Sequence, residues 1–264
     1  MRRALLTVDG RSCPFGCSYC FADFSQYEPP TALATVESRP DLLRNIDIIY
    51  PACDVDLFAR PDALLILERV AALKRSISIS TKAALNYDTV QALALLAGRM
   101  HTSGLTLKIG VSFSTKHRVR EIEPRTPSYE TRLKALAGLA QQGIARAAVL
   151  RPLLVDIPDW EYEEILDDIA SYTRYVLIGA EWLDATETLQ RKYGDAAVPI
   201  GVSMKPVNWA KDKPLWPVRE SPDRVSNIRE FAHCRGLDVS ESDLELMGKV
   251  IEATGRASPA SVNR

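Results

Sequence analysis

A short apolar segment, Ala4-Leu5-Leu6-Thr7-Val8, leads into Cys13-Pro14-Phe15-Gly16-Cys17-Ser18-Tyr19-Cys20. The first stretch predicts a buried β-strand, and the second is a loop with the spacing C-x3-C-x2-C. Soft thiolate ligands of this kind select zinc, copper or iron–sulfur clusters. A closed metal site needs four ligands and this loop supplies three, so we expect one coordination position to stay open for a small chelating ligand.

The remaining cysteines, Cys53 and Cys234, leave an alternative open. Five cysteines, three of them packed into eight residues, form a poor disulfide framework and in a reducing compartment indicate metal binding or catalysis. Folding could bring Cys53, or His233 with Cys234, to the loop, and either would complete a closed zinc site.

Strands and helices alternate from the first residues to about residue 180. Alternation of this kind is typical of an α/β fold with a parallel sheet and helices outside it, and right-handed crossovers would curl it into a partial (β/α)6 barrel. Functional groups would then lie at the carboxyl ends of the strands, where the cysteine loop also lies. The predicted strands are Ala4–Val8, Asn45–Tyr50, Ser76–Ser80, Leu105–Ser114, Ile144–Leu150 and Tyr175–Ile178, and the predicted helices are Asp62–Leu73, Asp88–Ala97 with Asp88 as N-cap, Ser128–Gln142 with Ser128 as N-cap, and Trp160–Ser171.

The pattern weakens after residue 180. We therefore predict a barrel over residues 1–194 and, over residues 195–264, a C-terminal covering segment with two closing helices packed on the barrel. Five prolines and two tryptophans between residues 195 and 222 indicate an ordered cover, in which Trp209 and Trp216 would pack. The closing helices are predicted at Ser221–Arg235 and Ser240–Glu252, and the tail from Gly255 is predicted to be disordered.

Composition excludes several classes of protein. Lys and Arg number 33 against 34 Asp and Glu, so the net charge is -1 and no global basic field would gather a polyphosphate partner. The apolar stretch near the start is too short for a signal peptide, and no run of about eighteen apolar residues would span a membrane. We expect a cytoplasmic protein with no membrane partner.

The cysteine loop, with an aromatic residue just before its third cysteine, resembles the cluster motif of the radical S-adenosylmethionine (SAM) superfamily. The resemblance implies a [4Fe–4S] cluster on Cys13, Cys17 and Cys20, with SAM chelating the fourth iron, and the same barrel fold. It also implies reductive cleavage of SAM, hydrogen abstraction by a 5′-deoxyadenosyl radical, and a flavodoxin- or ferredoxin-type electron donor. Tyr19 and Phe21 would then lie beside the adenine.

Within that superfamily the chain is similar to the spore photoproduct lyase-like branch. The stretch after the second strand departs from the superfamily, because Tyr50-Pro51-Ala52-Cys53 stands where a Gly-Gly-Glu-like segment usually holds the amino group of SAM. Asp54 and Asp56 are the nearest acceptors for that group. The similar stretches are Cys53-Asp54-Val55-Asp56, Thr81-Lys82, Val111-Ser112-Phe113-Ser114, Glu123-Pro124-Arg125, the run from Arg132 to Ile144, and Arg151-Pro152-Leu153.

Cations and hydroxyls at the strand ends are candidates for the rest of SAM. Lys82 and Arg125 follow the third and fourth strands, and either could pair with the carboxylate of SAM. Ser112 and Ser114 share one face of the fourth strand, because strand side chains alternate, and one of them could reach the ribose. The alternative is that the two cations are solvent-facing and the serines are ordinary strand residues.

Cys53 is the candidate catalytic residue. Resemblance to spore photoproduct lyases implies that a cysteine at this position donates a hydrogen atom to the substrate radical, and a thiol suits that task because its S–H bond is weak. The alternative is a small buried thiol that acts as a hydrophobic side chain.

Three functions are compatible with these residues. The favoured one is a radical SAM enzyme, a lyase or an oxidoreductase, that acts on a small molecule or peptide. The second is repair of damaged pyrimidines in DNA, which would need a basic face and a hairpin or wedge, and the sequence shows neither. The third, from another class, is a non-catalytic iron–sulfur or zinc protein.

Overall fold

The computed structural model describes residues 1–8, 13–23, 30–183, 202–207 and 215–256 of the 264-residue chain. Its main sheet has eight strands that pair only in parallel, in the spatial order β11-β7-β6-β5-β4-β3-β1-β2. These strands are β1 (Arg3–Thr7), β2 (Thr31–Ala32), β3 (Ile48–Pro51), β4 (Ser76–Thr81), β5 (Leu107–Ser112), β6 (Ala145–Leu150), β7 (Tyr175–Ile178) and β11 (Asp238–Ser240).

Helices cover the outer face of this sheet and bury the main hydrophobic core. On β5, Ile109 and Val111 point into that core, and Phe113 meets the ring of Tyr129 edge to face. The helices are α1 (Leu33–Ser38), α2 (Ala63–Ala72), α3 (Tyr87–Thr102), α4 (Val119–Ile122), α5 (Tyr129–Gln141), α6 (Asp159–Ala170), α7 (Pro222–Cys234) and α8 (Asp243–Arg256), with 3-10 turns at Phe21–Asp23, Pro40–Leu43 and Leu57–Ala59.

The inner face of the sheet is partly filled by α8. Leu246 and Val250 of this helix join Val149 and Leu177 in a second apolar cluster. At the start of α8, Asp243 accepts a hydrogen bond from Lys108 of β5 at 2.7 Å. Lys108 is completely buried, so this ion pair fixes α8 inside the curve of the sheet.

A three-stranded antiparallel sheet lies beside the barrel. It has the order β8-β10-β9, formed by β8 (Glu181–Trp182), β9 (Val202–Pro206) and β10 (Leu215–Arg219). Strands β9 and β10 pair directly along five residues, a pairing that the sequence did not indicate. Trp216 packs as predicted, fully buried, with its indole N–H donating to the carbonyl of Leu183. Trp209 lies outside the described residues.

The six predicted strands and the α/β class are confirmed, although the ends of several elements differ from the prediction. Strands β2 and β11 were not predicted, since two or three residues are too few for a pattern. Asn86 caps α3 in place of Asp88, because its side chain accepts the backbone N–H of Thr89. Ser128 caps α5 as predicted.

The C-terminal segment contributes β11 to the main sheet in addition to its two helices. The domain boundary predicted at residue 194 falls outside the described residues, and α8 continues through Gly255 to Arg256, so the chain is still helical where the tail was predicted to begin. No helix in the described part of the chain is long and apolar enough to cross a membrane.

Candidate active site

A cavity of about 460 Å³ opens at the carboxyl ends of the parallel strands. Because β1, β3, β4 and β5 run in parallel, the residues that follow them meet at one edge of the sheet. Trp182, Pro206 and Val207 border the cavity from the small sheet. Ten of the residues singled out from the sequence line it: Cys13, Cys17, Tyr19, Cys20, Phe21, Cys53, Asp54, Asp56, Lys82 and Ser112.

The cysteine loop is held against α4 and the segment after it. The backbone N–H of Ser18 donates to the carbonyl of Ile122 at 2.9 Å. Gly16 adopts a φ of +59°, and a Cβ atom there would overlap the guanidinium of Arg125. The loop thus needs a glycine for its backbone conformation, and the flexible, exposed side chain of Arg125 lies against it.

Tyr19 ties the same loop to a buried ion pair. Its hydroxyl donates to Glu123 and lies 2.6 Å from the Oγ atom of Ser114. Glu123 is fully buried and accepts from Nη1 of Arg132 at 2.7 Å, and Arg132 also donates to the carbonyl of Ser112. The end of β5, the helix α5 and the cysteine loop therefore share one polar network.

Lys82 lies between this network and the cavity. Its Nζ atom is 4.0 Å from Glu123 and 5.6 Å from the ring centroid of Tyr19. Burial disfavours the charged form, but Glu123, Cys17 and Asp56 outweigh it, so the pKa of Lys82 is raised above its ordinary value. Lys82 is therefore a cation at the cysteine loop at physiological pH.

The three thiols suit a soft metal cluster in kind. All three side chains line the same cavity, and Cys17 lies close enough to Cys13 and Cys20 to interact electrostatically with both. Burial raises the pKa of the Cys17 thiol to about 12, and Lys82 opposes that rise. No three Cys, His, Asp or Glu side chains are already gathered as a metal site within the described ranges. The donor types and their shared cavity fit an iron–sulfur cluster, which also draws the proton from each thiol that it binds.

The two aspartates after β3 differ in their free acceptors. Asp56 accepts hydrogen bonds from the Oγ1 atom of Thr81 and from the backbone N–H groups of Lys82 and Phe58, and burial raises its pKa. Asp54 accepts from Thr7 through Oδ2, whereas its Oδ1 atom is buried with no hydrogen-bond partner. Asp54 therefore lines the cavity and has one carboxylate oxygen without a partner among the described residues.

Ser114 and Arg125 do not line the cavity. Ser114 is fully buried behind Tyr19, and Arg125 is exposed beside Gly16. Of the paired candidates, Ser112 and Lys82 are thus the ones that line the cavity. His233 and Cys234 are exposed at the end of α7 and also lie outside the lining.

Cys53 follows β3 and is half-buried in the cavity wall. Its Sγ atom lies 3.7 Å from the carbonyl oxygen of Leu6, and Ala52 before it has a φ of 53°, in the left-handed region. Burial, reinforced by Asp54, raises the pKa of the Cys53 thiol to about 12. The thiol consequently keeps its proton at neutral pH.

Sequence reasoning missed several polar residues of the site. Glu123 gave no signal of burial, because its partner Arg132 lies nine residues away across a turn. Arg3, Tyr50 and Arg151 also line the cavity. Only Arg151, directly after the fifth of the predicted strands, carried the positional signal of a functional residue.

Comparison with known proteins places this geometry among related folds. No family model matches the chain. An uncharacterised protein of Methanocaldococcus jannaschii is 29% identical over 175 residues, which cover 62% of this chain and 64% of the relative. The chain thus matches less than two thirds of the relative's length.

Solved structures match over more of the chain. Spore photoproduct lyase complexed with dinucleoside spore photoproduct aligns with a TM-score of 0.62 at 14% identity, over 86% of this chain and 73% of the lyase. Streptococcus suis SuiB bound to S-adenosylmethionine aligns with a TM-score of 0.60 at 11% identity, over 91% and 50%. SuiB bound to the precursor peptide SuiA aligns with a TM-score of 0.51 at 14% identity, over 67% and 39%. The likeness predicted from the cysteine loop is confirmed for the fold, which is the partial barrel of radical SAM enzymes.

Proposed function

We propose that this protein is a radical SAM enzyme that abstracts a hydrogen atom from a small-molecule or peptide substrate. The observation that carries the proposal is one cavity whose wall contains the three-cysteine loop, the cation Lys82, the vacant acceptor of Asp54 and the protonated thiol of Cys53. When bound, a [4Fe–4S] cluster and SAM would supply the 5′-deoxyadenosyl radical that abstracts the hydrogen.

The charged residues of the cavity match the two charged ends of the amino-acid part of SAM. Cys13, Cys17 and Cys20 would hold the cluster through their thiolates. Lys82 lies beside the loop and its pKa is raised, so it would pair as a cation with the carboxylate of SAM. Asp54, through its vacant Oδ1, would accept the ammonium group, a role for which Asp56 has no oxygen free of a donor.

Neutral residues would position the nucleoside part. Ser112 is the strand serine that lines the cavity, so it is the candidate for the ribose hydroxyls. Tyr19 and Phe21 line the wall beside the loop and would contact the adenine. Ser114 and Arg125 would act indirectly, because they support Tyr19 and Gly16 of the loop.

Cys53 would deliver a hydrogen atom to the substrate radical. A hydrogen donor must carry the S–H bond, and the raised pKa keeps the thiol protonated near neutral pH. Transfer breaks the S–H bond homolytically, forms a C–H bond on the substrate and leaves a thiyl radical on Cys53. That radical would be returned to a thiol by hydrogen from 5′-deoxyadenosine or from an added reductant.

The size and charge of the site favour a small substrate over duplex DNA. The cavity of about 460 Å³ would have to hold SAM as well as the reacting part of the substrate, which favours a small reacting group. On the small sheet, Lys205 pairs with Glu220 at 2.6 Å and Arg219 pairs with Glu181 at 2.7 Å, so these cations are already neutralised. Repair of damaged pyrimidines in DNA is the second candidate, favoured by the likeness to spore photoproduct lyase and by the β9–β10 hairpin.

Anaerobic reconstitution with iron, sulfide and reductant tests the proposal. We expect about four irons and four sulfides per chain and the formation of 5′-deoxyadenosine from SAM. Cys17→Ala should lose both, whereas Cys234→Ala, which removes an exposed thiol far from the cavity, should lose neither. A protein that retains zinc and never cleaves SAM would instead support the non-catalytic alternative and refute the proposal.

A further inference from the structure

The guanidinium of Arg151 faces the cavity without a protein partner. Arg151 follows β6 and lines the cavity, yet it makes no hydrogen bond or ion pair with any residue in the described ranges. Gly179 makes room for it, because a Cβ atom there would lie 2.7 Å from Nε and 2.8 Å from Cδ and Cγ of Arg151. The cavity wall thus contains a planar cation with five N–H donors, none of which is satisfied by a described residue.

A second arginine faces the same space from β1. The guanidinium of Arg3 lies 5.7 Å from the ring centroid of Tyr50 and forms no ion pair within the described residues. The hydroxyl of Tyr50 is buried near Ser78 and Arg3 and forms no hydrogen bond of ordinary geometry with a described residue. Two cations and a hydroxyl donor therefore converge on one part of the cavity.

This part of the cavity lies toward the start of α8. Asp243 of α8 lines the cavity and acts on both Arg151 and Tyr50. Lys82 lies instead beside the cysteine loop, with its Nζ atom 4.0 Å from Glu123 and 5.6 Å from the ring centroid of Tyr19.

Among the described carboxylates, Asp243 acts on Arg151, and it is already held by Lys108 at 2.7 Å. Burial lowers the pKa of Arg151 and Asp243 opposes that effect, so an added negative charge would offset the cost of burying the guanidinium. An oxyanion with two oxygens matches the fork of an arginine in both geometry and charge.

We infer that Arg151, with Arg3 and Tyr50, forms a subsite for an anionic group of the substrate, a carboxylate or a phosphate. The anion is identified as part of the substrate only if the proposed radical SAM function holds. The substrate class is then an acidic small molecule whose charged end lies near α8 and whose reacting carbon lies toward Cys53 and the cysteine loop.

Titration calorimetry on the wild-type protein at low salt, with inorganic phosphate and with succinate as probes, tests the subsite. We expect saturable binding of at least one probe, and the preferred probe distinguishes a phosphate from a carboxylate. Arg151→Gln should weaken that binding about 10- to 100-fold, the loss expected for charge-assisted hydrogen bonds shielded from water. Gly179→Ala keeps the charge but displaces the side chain, so it should weaken binding too.

Two controls separate this inference from the proposed function. Arg39→Gln removes an exposed guanidinium that pairs with Asp41 outside the cavity, and this variant should bind the probe as wild type does. SAM affinity should stay within about twofold in Arg151→Gln, because loss of one distant contact leaves the others intact. Loss of SAM binding in Arg151→Gln would assign Arg151 to the cofactor and overturn the inference. Unchanged probe binding in Arg151→Gln, or no probe binding by the wild-type protein, would also overturn it. Arg151-dependent probe binding by a protein that cannot cleave SAM would refute only the proposed function.

Discussion

Removing the charge of Glu123 should both destabilise the protein and loosen the cysteine loop. Glu123 is fully buried and is the carboxylate paired with Arg132, which is itself fully buried. The Nε and Nη2 atoms of Arg132 already lack partners, so no other group in the described chain stands ready to neutralise this guanidinium. Glu123→Gln keeps the size of the side chain and takes away only the charge.

The magnitude follows from the burial of the pair. Breaking a buried ion pair by neutralising one partner costs about 3–5 kcal/mol of unfolding free energy, because a charge remains in a low-dielectric interior. Replacing both partners removes that penalty, so the double variant Glu123→Gln/Arg132→Met should recover about 2 kcal/mol relative to Glu123→Gln alone. The loop should still suffer in the double variant, because Tyr19 loses its charged acceptor.

Urea unfolding of the cluster-free protein, followed by circular dichroism, measures the stability, and iron retained after gel filtration measures the loop. Glu121→Gln is the matched control: its carboxylate pairs with Arg118 on the exposed surface, and its unfolding midpoint should not change. A loss below about 1 kcal/mol for Glu123→Gln, or a double variant as unstable as the sum of its single variants, would refute a buried, mutually compensating pair.

Three further predictions concern Cys53 and Gly16. Cys53→Ala should still form 5′-deoxyadenosine from SAM but misroute the substrate radical, and mass spectrometry showing an unchanged product would exclude the donor role. Because the pKa of Cys53 is raised to about 12, its thiolate forms only as the pH approaches that value, so iodoacetamide mapped by peptide mass should label Cys53 slowly at pH 8 and faster at each higher pH. Rapid labelling at pH 8, comparable to that of the exposed Cys234, would contradict a protonated thiol. Gly16→Ala should lower the free energy of unfolding by about 1–2 kcal/mol and retain less iron. Gly143→Ala, with a similar φ of 65° and no atom within 4 Å of its Cβ, should lower the stability alone. Equal iron content in both variants would show that Gly16 is not needed for the cluster.

The sequence predicts well what depends on short-range patterns. The six parallel strands follow from apolar runs, and the cap at Ser128 follows from local hydrogen bonding. The placement of Cys53 and Lys82 beside the cysteine loop also follows, because parallel strands bring their carboxyl ends together.

What the sequence could not predict depends on partners far along the chain. In the sequence, Lys108 is a polar residue on an alternating strand. Its burial depends on Asp243, which lies 135 residues later. Ser114 shares a strand face with Ser112 in the pattern, yet it is covered by Tyr19. Arg151 carries a positional signal in the sequence, but its lack of an ion pair with any described carboxylate is known only from the structure.

The position of α8 has a consequence for the order in which the site is completed during synthesis. The thiols of the cysteine loop leave the ribosome early, whereas the helix that fills the inside of the sheet, and Asp243 with it, emerges more than 200 residues later. Until α8 docks, Lys108 lacks the carboxylate of Asp243, and the inner face of the sheet is not covered by Leu246 and Val250. On the proposed function, the thiols of a nascent chain would therefore be accessible for cluster insertion before α8 completes the part of the cavity near Arg151.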